Sequence, residues 1–278
     1  MMQVDPQRIL NQSQSNFAIA FWGLGVDAKR AMTAVYAFCR VVDDLIDESL
    51  DLTVGLAELE KWRIFVDDFS SAGNILEREL VWSRDRFNLS PKYFHEIITG
   101  VAQDAEPVDI QTWEALWVYC DRVASSVGHL CLEILGVHAS PHAPAYAIAT
   151  GRALQLTNII RDVSVDGAIG RIYVPSVLRR AHGVSASAFF EAKASEPLID
   201  VLTELLDHTR TYYNQSEELA KALDPKKIWV CEVMKRVYFD VFKQISKDPK
   251  KTFGSKVRVS KLKKIWMSRS EYLKSRWS

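Results

Sequence analysis

Apolar residues recur three and four positions apart along most of this chain, and alternation of apolar and polar residues is nowhere sustained. That spacing predicts α-helices rather than strands. Turn-forming residues gather at "GLGVD" (23–27), "RFNLSPK" (86–92), "QDAEPVD" (103–109), "HASPHAPA" (138–145), "DGAIGRIYVP" (166–175), "LDPKK" (223–227) and "KDPKKTFGSK" (247–256). Between them lie segments of roughly 12–25 residues with helical periodicity. There is no internal repeat and no low-complexity linker, so the expected architecture is one all-α domain over residues 1–278.

Two of these helices break the usual amphipathic pattern. In "VYAFCRVVDDLIDE" (35–48), Tyr36, Arg40, Asp43 and Asp47 stand at offsets 0, 4, 7 and 11, which puts them in one narrow stripe with Asp44 at its flank. Val35, Phe38, Cys39, Val42, Leu45 and Ile46 cover the roughly opposite side, and Ala34, Ala37 and Val41 fill the flanks. A solvent-facing helix carries a broad polar face, so a thin polar stripe predicts an interior cavity. An exposed acidic patch at the end of a buried helix is the alternative that this segment alone leaves open.

The pattern recurs in "GRALQLTNIIRDVSVDGAIGRIYVP" (151–175). Gly151, Gln155, Asn158, Asp162 and Asp166 stand at offsets 0, 4, 7, 11 and 15. Apolar residues occupy the other faces, Arg161 adjoins the stripe, Gly167 and Gly170 are expected to end the helix, and Arg171 and Tyr173 follow in a loop. Crowded carboxylates in a cavity repel one another, and burying them unpaired is costly. Arginine can pair with some. Carboxylate ligation without nearby His or Cys suits Mg²⁺, or Mn²⁺, for the rest. Two such helices face to face would hold a divalent ion bridging to a diphosphate, with the arginines binding the remaining phosphate charge.

Composition changes the picture in three places. The formal net charge is zero, so no nucleic-acid partner is expected. The four cysteines form no CxxC pair and sit in apolar segments, which predicts free thiols in a reducing compartment. No signal-peptide core and no run of membrane-span length is seen, so a cytoplasmic location is expected. Residues 250–278 hold ten Lys or Arg and one acid, with Trp266, Tyr272 and Trp277 among them. This is a solvated basic end or a surface for peripheral contact with an anionic membrane. On the second reading Lys261, Lys263 and Lys264 face lipid.

With "YAFCRVVDDLIDE", "YCDRVASSVG" (119–128) and "LQLTNIIRDVSVDGAIGRIYVP" in this order, the chain resembles the squalene/phytoene synthase family, the head-to-head prenyl transferases. The resemblance implies an all-α bundle around a central cavity. It implies that Asp43, Asp47, Asp162 and Asp166 bind Mg²⁺ bridging prenyl diphosphates, and that Tyr36, Arg40, Tyr119, Gln155, Asn158 and Arg161 line the polar end. Arg171 and Tyr173 match a flap after the second motif. Val123, Ala124, Val127 and Gly128 match a wall along the prenyl chains, although small residues there also suit close helix packing. Ionisation of one diphosphate, attack by the C2–C3 double bond of the second substrate, and proton loss would close a cyclopropane.

The match has departures. Asn16 and Ala18 stand where serines that meet a diphosphate are common, with Ser13 and Ser15 shifted nearby. Val165 replaces a frequent Glu, and Lys256, followed by Arg258, replaces a late Arg. The motifs look most like those of bacterial presqualene diphosphate synthases, which use farnesyl diphosphate in hopanoid pathways. Phytoene synthases of carotenoid pathways, acting on geranylgeranyl diphosphate, share most of the same residues. A non-catalytic assembly factor of the same fold is the alternative of another class, and a terpene cyclase or head-to-tail transferase is a third.

Overall fold

The computed structural model describes residues 5–12, 19–70, 72–191, 193–254 and 257–277. It is 79% helical, without a strand among the described residues. The long helices are α1 (Pro6–Gln12), α2 (Val26–Asp47), α3 (Leu52–Asp68), α4 (Ile75–Phe87), α5 (Pro91–Ala102), α6 (Trp113–Cys120), α7 (Ser126–Ile134) and α8 (Ala143–Ala168). After two short helices, α9 (Ser176–Ala181) and α10 (Ser187–Phe190), come α11 (Glu196–Ala220), α12 (Pro225–Lys247) and α13 (Lys261–Trp277).

Several helix ends that periodicity did not mark are fixed by local chemistry. Asp51 caps α3 by accepting from the Thr53 N–H, and Asn74 with Glu77 forms a capping box on α4. The chain therefore breaks after Asp47 and after Asp68, where no break was expected. Gly167 does not end α8, contrary to expectation; it is buried within the helix where the backbone of Phe189 packs against it. The chain turns at Gly170, whose φ of +81° is a left-handed conformation that glycine adopts without steric cost.

The core has two main parts with the site between them. On one side α2, α3 and α5 pack through Phe38, Trp62 and Phe94, with edge-to-face rings at centroid distances of 5.4 and 5.1 Å. On the other, α8 packs on α11 and α12 through Leu156, Ile160, Leu202, Leu205, Val237 and Phe242. Each of these six side chains is at most 1% exposed. α8 is buried around nearly its whole circumference, which explains why its apolar residues show no single face. No described helix is long and apolar enough to cross a membrane. The four cysteines are free thiols. Burial pushes them up, Cys131 to about 12, so they are poor nucleophiles.

Candidate active site

The two polar stripes face one cavity of about 530 Å³. α2 supplies Tyr36, Arg40, Asp43 and Asp47; α8 supplies Gln155, Asn158, Asp162 and Asp166, with Arg161 beside them. Tyr119, Val123, Ala124, Val127 and Gly128 come from the α6–α7 wall, and Arg171 and Tyr173 from the loop after α8. All of these were expected from sequence, and all line the cavity. Lys256 lies outside the described residues, as do Ser13, Ser15, Asn16 and Ala18.

Arg40 and Arg161 each serve one wall, and Arg171 links the two. Arg40 pairs with Asp44, and lies 3.8 Å from Asp43 and 3.4 Å from Glu48. Arg161 pairs with its neighbour Asp162, with Nε donating at 2.9 Å. Arg171 crosses between the walls: Nη1 donates to Asp47 at 2.6 Å and Nη2 to the Asp104 carbonyl at 3.0 Å. Three cations do not neutralise the acids. Burial, then Asp47, pushes the Asp43 carboxyl up to about 7; burial, then Asp162, pushes Asp166 up to about 7.

Asp104 was not anticipated. It sits in the turn after α5, lines the cavity, and accepts from Tyr173 Oη at 2.8 Å and Tyr119 Oη at 3.0 Å. The two tyrosine rings stack at 4.8 Å. The same segment pins the loop after α8: Ile172 N–H donates to the Val108 carbonyl at 2.7 Å and Ile110 N–H to the Ile172 carbonyl at 3.1 Å. Burial holds the Asp104 carboxyl up at about 6. An aspartate in a turn reads from sequence as a cap, and nothing local marks it as the hub of a flap. Tyr238, on α12, and Thr150, on α8 beside Gly151 but off its polar stripe, also line the cavity, and periodicity gave no signal for them either.

Residues 124–128 serve both the cavity and helix packing. Ala124 and Gly128 line the cavity, whereas Ser125 and Ser126 are buried in helix packing, their hydroxyls bonded to Asp121. Away from the acids the cavity becomes apolar, with Phe21, Met32, Val35, Ile97 and Met234 among its lining residues. Val165, which replaces an acid common in the second motif, is 58% exposed.

The polar end of the cavity offers oxygen donors to a divalent cation. Among the described residues no three His, Cys, Asp or Glu side chains meet closely enough to hold an ion by themselves. That is compatible with Mg²⁺, which commonly takes one or two carboxylates and completes its shell with water and phosphate oxygens. The donor set is all oxygen, and the Asn158 side-chain oxygen is buried without a hydrogen-bond partner among the described groups. The residues fit the ion when it arrives with a diphosphate.

In the tail, Lys261 and Lys263 are exposed, and Lys263 Nζ also pairs at 2.7 Å with Asp240, a carboxylate only 6% exposed. Lys264 is half-buried beside Arg258. α13 also exposes a row of large apolar side chains: Leu262, Trp266, Leu273 and Trp277.

The squalene/phytoene synthase family profile matches residues 10–263. The presqualene diphosphate synthase of Rhodopseudomonas palustris is 32% identical over 235 residues, covering 82% of each chain. Phytoene synthase 3 of Zea mays is 24% identical over 274 residues, covering 96% of this chain and 64% of that one. Among solved structures, a dehydrosqualene synthase in complex with ligand superposes with a TM-score of 0.86 at 28% identity, covering 97% of this chain and 95% of that one. A squalene synthase from Alicyclobacillus acidocaldarius gives a TM-score of 0.77 at 25% identity, covering 87% and 92%. The two acid-bearing helices, their arginines and the apolar cavity between them are thus found in a chain that belongs to the squalene/phytoene synthase family of prenyltransferases.

Proposed function

We propose that this enzyme condenses two molecules of farnesyl diphosphate head to head into presqualene diphosphate, with release of diphosphate and a dependence on Mg²⁺. The supporting observation is the convergence of Asp43, Asp47, Asp162 and Asp166 with three arginines at one end of a cavity whose remaining wall is apolar. The likeness to presqualene diphosphate synthases favours the C15 substrate over the C20 one.

Asp43 and Asp47 on one wall, and Asp162 and Asp166 with the Asn158 oxygen on the other, would each offer one or two carboxylates to Mg²⁺, which when bound with the diphosphate would neutralise charge building on the leaving group. Arg40, Arg161 and Arg171 bind phosphate oxygens that the acids leave unmatched. Arg171 reaches the diphosphate by giving up part of its bond to Asp47, and Asp104 keeps Tyr119, Tyr173 and the Arg171 loop in place meanwhile. Val123, Ala124, Val127, Met234 and Phe21 exclude water from the allylic cation, which water would quench to an alcohol. The cation is attacked by the C2–C3 double bond of the second substrate, and loss of one proton closes the cyclopropane.

The experiment is incubation of the protein with Mg²⁺ and either farnesyl or geranylgeranyl diphosphate, followed by identification of the lipid. The cyclopropyl C30 diphosphate is expected. A C40 product favours the phytoene-type reading, and product from neither overturns the assignment in favour of a non-catalytic relative.

The enzyme also works at an anionic membrane surface on this reading. The exposed row Leu262, Trp266, Leu273 and Trp277 is flanked by Lys261, Arg269, Lys274 and Arg276, the pairing of apolar and cationic side chains that suits a lipid interface.

A further inference from the structure

Tyr119, Val123, Val127 and Cys131 line one wall of the cavity at intervals of four residues. Four residues of α-helix rotate past a full turn by about 40°, so an unbroken α-helix would carry this row away from the cavity over three steps. One wider turn cancels the drift. Residues 121–125 form that turn: the Ser126 N–H donates to the Asp121 carbonyl five residues back, a π-turn between α6 and α7.

The wide turn is held from outside the cavity. The Asp121 carboxylate accepts from Ser125 Oγ at 2.9 Å, from Arg152 Nε at 2.9 Å and from Arg152 Nη2 at 2.6 Å. Ser126 Oγ donates to the Asp121 carbonyl at 3.0 Å, so its hydroxyl reinforces the bond that defines the turn. Arg152 is itself fixed, with Nη1 donating to Tyr212 Oη at 3.0 Å and the guanidinium lying 5.5 and 5.4 Å from the rings of Trp117 and Tyr212. Next to it, Gly151 lets the turn sit against α8, because a Cβ there would stand 2.5 Å from the Ser125 nitrogen. Neither Asp121, Arg152, Trp117 nor Tyr212 lines the cavity.

We propose that the Asp121–Arg152 pair is a positioning device that locks the π-turn, sets the width of the cavity at Val123 and Ala124, and thereby selects the length of the prenyl chain. A bidentate pair whose planar guanidinium also lies against two rings fixes direction as well as distance, which a lysine would not do. When the clamp is released, the turn relaxes toward α-helical register, and Ala124, Val127 and Gly128 rotate away from the chain they contact. This rests on prenyl diphosphates being the substrates.

The test uses Arg152→Met, which keeps the apolar stem, and Asp121→Asn, which keeps the shape. Binding of farnesyl and geranylgeranyl thiodiphosphates, which resist ionisation, is measured by calorimetry with Mg²⁺, together with inorganic pyrophosphate. The ratio of the two prenyl affinities is expected to change by about tenfold in Arg152→Met, the equivalent of roughly two methylene contacts. Asp121→Asn should move it less and in the same direction, with pyrophosphate affinity within about twofold of the parent because the polar end is untouched. Folded variants whose prenyl ratio equals that of the parent, or in which both affinities fall together, overturn the proposal and leave the pair a merely structural one. If Arg152→Met does not fold, Asp121→Asn decides alone. A parent protein that binds neither thiodiphosphate overturns the substrate assignment itself, a result separable from an unchanged ratio.

Discussion

Replacing Asp47 by Asn separates catalysis from stability. Asp47 lies in the last turn of α2, its side chain is 43% exposed, and it accepts from Arg171 at 2.6 Å. It also helps to push the Asp43 carboxyl up. The amide is nearly isosteric, so packing is unchanged. The pair with Arg171 loses its charge, and at this exposure such a pair contributes up to about 1 kcal/mol. Relief of the repulsion on Asp43 is of the same order and opposite sign. Stability should therefore change by less than about 1 kcal/mol, a Tm shift of no more than about 2–4 °C. Turnover behaves differently, because a preorganised charge aimed at the leaving group is lost. A fall of at least ~10²-fold is expected, about 2.7 kcal/mol of barrier. Initial rates of diphosphate release with farnesyl diphosphate and Mg²⁺, run beside thermal unfolding by circular dichroism, measure both. A folded variant with near-normal turnover refutes the role given to this acid, and a loss of many degrees refutes the argument that its two electrostatic effects cancel.

Asp162→Asn should show the same loss of turnover in the same rate assay, and near-normal turnover in the folded variant would count against the second acid-bearing wall. Excess chelator should abolish activity while leaving the helical circular dichroism intact, because apolar helix faces build the core; unfolding on chelation would contradict this. Asp43 and Asp166 titrate near 7 in the fold and near 3.8 in the unfolded chain, so the folded state binds more protons between those values. Without divalent ions the protein should thus gain thermal stability as pH falls from 8 toward 5.5, and Mg²⁺ at pH 8 should raise Tm by replacing those protons; a Tm that drops steadily over that range would refute it. Changing Trp266, Leu273 and Trp277 to Ser should weaken sedimentation with anionic vesicles and leave turnover of detergent-dispersed substrate near that of the parent; unchanged vesicle binding, or none in the parent, removes the membrane reading.

Spacing along the chain determined the acid-bearing stripes, because residues four, seven and eleven apart share a helix face whatever packs around them. Asp43, Asp47, Asp162 and Asp166 were legible for that reason, as were their helices. Where the stripes meet was not legible, since periodicity within one helix says nothing about its partner. Asp104 became part of the site only when the turn after α5 was laid beside the loop after α8, a contact between residues 69 positions apart. The pairing of Lys263 with buried Asp240 likewise depends on how α13 lies on α12. The π-turn is the clearest case. "YCDRVASSVG" satisfies an α-helical pattern locally, and the extra residue in its turn is stabilised by Arg152, 31 positions away, on another helix. Local propensity fixes where a helix forms, whereas its partners, register and local widening follow from which distant side chains can be hydrogen-bonded once the core has closed.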